Sequence, residues 1–411
     1  MSAVEEAVAE AHRREWAFVL AATVRVTRDI DAAEEAVQDA YVQALSTWAS
    51  TGVPDRPGAW LTTVARRSAL NTMRRGRTLA TKLPLLLGPE EAEMSEPAEP
   101  IPDDRLRLIF TCCHPALARE AQVALTLRLV CGVATPDIAQ AFLVPDATMA
   151  ARLTRAKKKI AAARIPYAVP SSAALPARLD AVLTVIHLLY ATGHTAPSGS
   201  VLVRDDLTTR ALDLARMLRL LLPADREAGG LLALLLAHHA RRATRTDAPG
   251  RLLRLEEQDR SLWDREMIAE ADRLVVAALS AGPPGRFSLQ AAIAALHADA
   301  ATYEATDWPQ ILTLYDALLR VWPSPVVALN RAVAVSMVSG PAAALAEVER
   351  LEGEGRLAGY RYLFATKADL LSRLDRDAEA AGAYRAALAL SENAAEQDFL
   401  TERLRSAPPT A

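Results

Sequence analysis

Two sets of polar and cationic residues are spaced to act together. Thr148, Arg152, Arg155 and Lys159 recur every three or four positions, with Lys157 and Lys158 adding charge at the end. On a helix this spacing aligns them along one face. Arg67, Asn71 and Arg74 repeat the arrangement earlier in the chain, with Arg66, Arg75 and Arg77 nearby. Rows of guanidinium and ammonium groups neutralise phosphates, while Arg, Asn and Thr side chains can hydrogen-bond base edges. This is the chemistry of nucleic-acid binding rather than of bond making. By spacing alone, a solvated basic face on an ordinary helical hairpin is the alternative.

The other reactive residue types do not assemble into a recognisable site. The stretch TCCHPAL places Cys112, Cys113 and His114 in a row, and Cys131 is the third and last cysteine. Metal sites use spaced ligands such as CxxC, and adjacent cysteines on a helix point in different directions. Cys131 could in principle join the trio, as a zinc ligand or in a redox switch; packing is the expected role. His187 and His194 flank an apolar helix end, and His238 and His239 are adjacent on a Leu-rich helix. There is no Ser/His/Asp set, P-loop, GxGxxG or HExxH. The stretch EEQDRSLWD, residues 256–264, reads as a helix start and a contact between domains. The expectation is a protein that is not an enzyme, with no catalytic residue, metal or cofactor.

Helices must hold these faces in place. In DIDAAEEAVQDAYVQALSTW, Ile30, Ala33, Val37, Tyr41, Ala44 and Trp48 form one apolar stripe. The rest of that helix is acidic and amidic: Asp31, Glu34, Glu35, Gln38 and Asp39. After the loop STGVPDRPG, a second helix carries Arg67, Asn71 and Arg74, with Leu61, Val64 and Ala65 inward and Trp60 in the core. Residues 84–104 are rich in Pro and Glu and read as an extended acidic linker. From 125 to 160 the pattern is helix, turn at Gly132, short helix, turn, long helix. Thr135 can cap the short helix and Pro136 suits its first turn. Met149, Leu153, Ala156 and Ile160 are the buried stripe of the long helix, beside the basic row. That is a helix-turn-helix with a basic outer face.

Beyond residue 175, apolar helices are broken at Pro197, Pro223, Pro249 and the GPPG of 282–285. Then LNRAVAVSMVSGPAAALAEV aligns with TKADLLSRLDRDAEAAGAYRAAL, Ala332 over Ala368 and Gly340 over Arg376, at about the period of tetratricopeptide helix pairs. The chain has 411 residues, 51% of them hydrophobic, enough for several cores, and few aromatics, which favours helix. A net charge of −3 conceals the opposition between the basic units and the acidic linker. Three cysteines do not make a disulfide framework and fit a reducing compartment. The N-terminus is acidic where a signal peptide would be basic, and no apolar run is long enough for a bilayer, so a cytoplasmic protein is expected.

The order of AAEEAVQDAYVQAL, AWLTTVARRSALNTMRR, an acidic linker and LRLVCGVATPDIAQAFLVPDATMAARLTRAKKKI resembles the extracytoplasmic-function (ECF) sigma factors of bacterial RNA polymerase over about residues 10–165. FTCCHPALA, QDRSLWD, FSLQAAIAALHA, TDWPQILTLYDALL and SPVVALNRAVAV resemble the subgroup with a long tetratricopeptide-like extension. The resemblance implies an all-α protein in five parts: sigma region 2 at 1–80, the linker at 81–104, sigma region 4 at 105–165, a helical extension at 166–289 and helical repeats at 290–411. It implies that Asp31, Glu34, Glu35, Gln38 and Asp39 dock on core RNA polymerase. By the same resemblance Arg66, Arg67, Asn71, Arg74 and Arg75 hold the opened promoter strand. Thr148 and Arg152 would contact bases of the upstream element, and Arg155, Lys157, Lys158 and Lys159 its phosphates. Asn71 stands where the family usually has Asp, and Arg67 where it often has Asn, which puts the base preference near the melted strand in question. The extension is expected to regulate initiation and to take a protein or peptide ligand. The competing readings are a dimeric helix-turn-helix regulator with a repeat-type sensor, and a protein-binding scaffold.

Overall fold

The computed structural model describes residues 3–82, 104–142, 144–171, 173–196, 198–200, 202–248 and 250–406; for residues 3, 75–82, 140, 141, 177, 198 and 406 it describes the backbone alone. Most of the expected acidic linker, 83–103, and the tail 407–411 lie outside the described residues. The chain divides into two compact units, 1–185 and 186–411.

The first unit opens with α1 (Ala3–Thr27), α2 (Ile30–Thr51) and α3 (Pro57–Lys82), each packed on the other two. Asp29 starts α2 by accepting a hydrogen bond from the Ala32 amide at 3.0 Å, an N-cap. Gly52 ends it with φ +82°, where a side chain would be strained. Trp16, Val19, Leu20, Val37, Trp48, Leu61 and Ala65 are buried among the three helices. Each such large side chain contributes about 1.5–3 kcal/mol by leaving water.

After the linker come α4 (Asp104–Cys112), α5 (Arg119–Leu125), which continues as a π-helical turn at Thr126–Val130, α6 (Thr135–Ala141) and α7 (Asp146–Ala162). The turn before α6 is made by Gly132 at φ +66°. A Cβ there would also come within 3.0 Å of the Trp16 ring, so the glycine lets the second helical group approach α1. Met149, Leu153, Ala156 and Ile160 are all buried along α7, as the period requires. Ile138 and Ala139 of α6 are buried and Phe142 is half-buried.

The two helical groups of this unit pack on each other. The Trp16 indole donates to the Leu129 carbonyl at 3.0 Å in a buried bond. Tyr167 donates its hydroxyl to the Ala21 carbonyl at 2.9 Å, and Arg178 donates to the Phe110 carbonyl. These last two contacts hold residues beyond 165 to the first unit.

The unit boundary falls within α8 (Leu175–His194). The second unit continues with α9 (Asp205–Leu221), α10 (Arg226–His239), α11 (Arg265–Ser280), α12 (Arg286–Asp299) and α13 (Trp308–Val321). The central α10 packs on α9, α11 and α12, and its run Gly229–Ala237 is buried. Gly230 permits this closeness, since a Cβ there would lie 2.6 Å from the Ser288 amide nitrogen. Glu227 accepts from the Phe287 and Ser288 amides at 2.8 and 3.1 Å and so caps α12 from outside.

Helix pairs then repeat: α14 (Pro325–Val338) with α15 (Pro341–Gly353), and α16 (Arg361–Ser372) with α17 (Asp377–Ala389), before α18 (Ala394–Ser406). Arg361 begins 36 residues after Pro325, and Asp377 begins 36 after Pro341. The internal alignment read from the sequence is therefore a repeat of helix positions. The only strands among the described residues are a two-residue parallel pair, β1 (Ser198–Gly199) with β2 (Glu392–Asn393). The protein is all-α in its construction, and no described helix is long and apolar enough to cross a membrane.

Candidate polymerase and promoter interfaces

Helix α3 presents Arg67, Asn71 and Arg74 on its exposed side, with Arg66 half-buried beside them. Arg66 donates from Nε to the Ala22 carbonyl at 3.4 Å, which ties its stem to α1. The side chains of Arg75 and Arg77 lie outside the described residues. Val64 is half-buried beneath this face, while Leu61 and Ala65 are fully inward. Trp60 is half-buried and stands edge-on to the buried Trp48, ring centroids 5.5 Å apart. Read from the sequence as core, it is only half-buried, and it braces the helix start by this edge-on contact.

Helix α7 carries Thr148, Arg155, Lys158 and Lys159 exposed. Arg152 is half-buried, its guanidinium 5.7 Å from the centre of the Phe142 ring, a cation–π contact that orients it near the N-terminal half of the helix. The short α6 packs against α7, which is the helix-turn-helix arrangement.

Lys157 differs from its neighbours. Its ammonium donates to Asp31 at 2.5 Å and to Glu34 at 2.8 Å, across to α2. Arg128, from the π-turn, donates from Nε to the other Glu34 oxygen at 2.9 Å. Glu34 is 7% exposed at its side chain, Lys157 15% and Arg128 20%, so this is a largely desolvated network, not a surface pair. Burial pulls the Lys157 pKa down, but the hydrogen bonds and charges of Asp31 and Glu34 outweigh it and hold the ammonium above its ordinary range. A polar cleft of about 280 Å³ lies alongside, lined by Glu35, Gln38, Thr154 and the members of the network. Glu35, Gln38 and Asp39 are exposed, and Asp31 is 68% exposed.

Residues singled out for two different partners are thus brought together: Asp31 and Glu34 from the polymerase-facing set, Lys157 from the DNA-facing set. The sequence reading missed Arg128 and Trp16. One signal was available, because Arg128 is the single charge in the apolar run LTLRLV, and a charge there needs a buried partner.

The cysteines pack. Cys112 and Cys113 are fully buried where α4 ends, and Cys131 is buried next to Gly132. Burial pushes the Cys112 thiol well up, and pushes Cys113 up to about 11, so neither offers a thiolate near neutral pH. Among the described residues no three His, Cys, Asp or Glu converge as metal ligands. The histidines of the second unit are enclosed: burial lowers His187, His239 and His297 to about 4, and holds His194 and His238 well below the ordinary imidazole range. They sit neutral against aromatic rings, His187 on Phe287 at 5.6 Å and His194 on Tyr190 at 5.5 Å. The QDRSLWD stretch is structural too. Arg260 donates to the carbonyls of His297 and Ala300, both at 2.7 Å, and Asp264 caps α11.

Comparison with known proteins identifies the domains that carry these faces. Residues 12–78 match sigma-70 region 2, residues 107–160 match sigma-70 region 4, and residues 178–279 match a family of unknown function, DUF6596. A protein of Rhizobium meliloti (strain 1021), itself described as uncharacterized, is 46% identical over 392 residues, covering 94% of this chain and 92% of the relative. No solved structure is significantly similar to the chain. A three-helix region 2 followed by a helix-turn-helix region 4 defines a non-enzymatic transcription initiation factor of the sigma-70 class. Within it, the chain belongs to the ECF-like sigma factors that carry a C-terminal DUF6596 extension. It binds core RNA polymerase and promoter DNA and directs promoter-specific initiation.

Proposed function

We propose that this sigma factor is stored closed, with its two promoter-reading domains latched together, and that its extension regulates the opening. The observation that carries the reading is the Glu34 network. Asp31, Glu34, Glu35, Gln38 and Asp39 form the docking face for core polymerase in this assignment. Arg66, Arg67, Asn71, Arg74 and Arg75 hold the melted strand. Thr148 and Arg152 read base edges of the upstream element, and Arg155, Lys157, Lys158 and Lys159 take its phosphates. Lys157 cannot serve a phosphate while it neutralises Asp31 and Glu34, and Glu34 cannot serve polymerase while it is buried under Arg128. Docking therefore exchanges one set of ion pairs for another, so the electrostatic cost of opening is largely offset on binding. The extension, residues 186–411, is the larger of the two units, and a ligand on it is the natural input.

The test is run-off transcription from a genomic library with purified core polymerase, combined with fluorescence transfer between dyes on Ser50→Cys in α2 and Ala161→Cys at the end of α7. The buried native thiols should not label. Arg128→Ala should lower transfer and raise transcription at limiting polymerase, with start sites sharing a two-part upstream motif. High transfer retained throughout active initiation complexes would sink the latch. Absence of any polymerase binding by either form would remove the residue assignments as well.

A further inference from the structure

The second unit contains a cavity of about 890 Å³, walled by segments as far apart as Leu252 and Arg403, with four arginines and four carboxylates in its wall. Those charges cancel, so the cavity favours neither an anion nor a cation. A crevice among α8, the end of α10 and the end of α12 differs from it. His187, Tyr190 and His194 follow one another at helical spacing on α8 and share a face. Across from them stand His238 of α10 and Arg241 just past its end, with the His194 and His238 rings 5.4 Å apart. His187 and His297 of α12 are near enough to His238 to act on its charge. These groups lie deep in the unit, yet His187, His194, His238, Arg241 and His297 are only half-buried. Side chains that are deep but unsealed line an open space.

Its polar groups are under-used. Arg241 donates from Nη2 to His238 Nδ1 at 3.3 Å. Arginine cannot accept, so the neutral His238 ring carries its proton on Nε2. Among the described residues, neither that N–H nor the Nε and Nη1 groups of Arg241 have a hydrogen-bond partner. The Tyr190 hydroxyl, near both Arg241 and Arg245, is buried with no partner either. The end of α10 does not serve Arg241, because the Leu236 carbonyl is taken by the Ala240 amide, that of His239 by Arg242 and that of Ala240 by the Asp264 amide. Charge follows the same pattern. The groups that act on Arg241 are Arg245, Tyr190 and Arg260, with no carboxylate among them. Arg245 donates to the His194 carbonyl and the Thr195 hydroxyl and faces Glu396, which also pairs with Arg361. Arg260 faces Glu304, and Asp205 and Asp264 act on His239 beside Arg242 and Arg216. Matching these off leaves the Arg241 charge over. Burial, and then the Arg245 charge, pull its guanidinium down to about 10. A desolvated charge without a counter-charge is costly, and a bound anion removes that cost.

We propose that this crevice binds a phosphate group, its oxygens taken by the Arg241 guanidinium, the His238 Nε2–H and the Tyr190 hydroxyl. Guanidinium donors give an oxyanion charge-assisted bonds. The donors converge from two helices rather than lying side by side. A tetrahedral oxyanion presents oxygens in several directions, whereas a carboxylate presents two in one plane. The inference deepens the regulatory reading, and rests on it, in giving the extension a ligand class. Binding is measured without polymerase or DNA, so its failure leaves the initiation reading standing, and failure of the latch leaves binding measurable.

The experiment is calorimetric titration of the full chain with inorganic phosphate, with glycerol 3-phosphate and with acetate, at matched ionic strength. Inorganic phosphate or the ester should bind at least roughly tenfold more tightly than acetate. Whichever of the two binds better tells whether the source is free phosphate or a phosphorylated small molecule. Phosphate can also reach the basic faces of the first unit, so only the binding that Arg241→Met removes belongs to the crevice. That variant should weaken phosphate at least roughly tenfold. Its thermal stability in phosphate-free buffer should be unchanged or higher, because a buried charge without a counter-charge is gone. Tyr190→Phe removes only the partnerless hydroxyl and keeps the ring, so it keeps the test intact if Arg241→Met does not fold; it should weaken phosphate by roughly fivefold. No phosphate binding, equal affinity for phosphate and acetate, or phosphate binding unchanged in both variants would each overturn the assignment. So would an Arg241→Met protein that is less stable yet binds phosphate as before, since the arginine would then serve the fold alone.

Discussion

The cationic face of α3 stands in solvent, with Arg67, Asn71 and Arg74 exposed, whereas that of α7 is divided. Thr148, Arg155, Lys158 and Lys159 are exposed, but Lys157, one step round the helix, is turned onto the acids of α2. The same residue type one position apart does two jobs. A lysine at 158 remains hydrated and is worth little to the fold. A lysine at 157 is largely desolvated and shares Glu34 with Arg128, so it contributes to holding the two domains together. In the proposed closed form the charge of α7 is thus not all available to DNA, since Lys157 is held by the acids of α2.

The comparison breaks most visibly at Trp16. Its indole is 3% exposed and bonds the Leu129 carbonyl beneath the latch. Trp16→Ala should cost about 3–5 kcal/mol, read by chemical denaturation of the first unit, and should lower fluorescence transfer between Ser50 and Ala161 labels. If stability falls but transfer does not, the indole serves only the region 2 core. Next is Arg128→Ala, which leaves Glu34 with half its partners. About 2–3 kcal/mol should be lost from the closed form. A double-mutant cycle with Glu34→Gln should show coupling, and none would mean the pair is incidental.

Smaller effects sharpen the contrast between the two helices. Arg152→Ala should cost about 1–3 kcal/mol in discrimination at one position of the upstream element, while Asn71→Ala should change preference only in the melted segment; start-site sequencing separates them. If both variants alter the same promoter element, the assignment of α3 and α7 to separate elements is wrong. The least effect belongs to Lys158→Ala: promoter binding weakened uniformly, with the slope of log affinity against log salt reduced by about 1. Lys157→Ala tests the division of α7 directly. It should weaken DNA binding no more than Lys158→Ala does, because opening the latch compensates for the lost phosphate contact.

Much of this architecture is legible along the chain. The apolar stripe of α7, Met149, Leu153, Ala156 and Ile160, is inward because a period near four leaves no other face to bury. Pro309, Pro325 and Pro341 stand at helix starts, where a missing amide costs nothing. The repeat of α14 and α15 in α16 and α17 is visible because each pair must bury the same stripe against the next. The candidate site was legible as two sets of residues but not as one place. Nothing in DIDAAEEAVQDA tells that Glu34 is buried and Asp31 is not, since both lie on the polar side of the same helix. The cavity of the extension was not legible either, as its walls come from segments as far apart as Leu252 and Arg403.

By itself the sequence determined the helices, their buried stripes, the helix-turn-helix and the membership in the sigma-70 class, because propensity, capping and hydrophobic period act over a few residues and motifs are contiguous. Only the tertiary structure decided that Arg128 and Lys157, 94 and 123 residues from Glu34, converge on it. It alone decided that Gly132 lies against Trp16 and that residues as far apart as Leu252 and Arg403 line one cavity. These contacts join segments far apart in the sequence, and they rest on desolvation and shape across the whole unit rather than on any local preference.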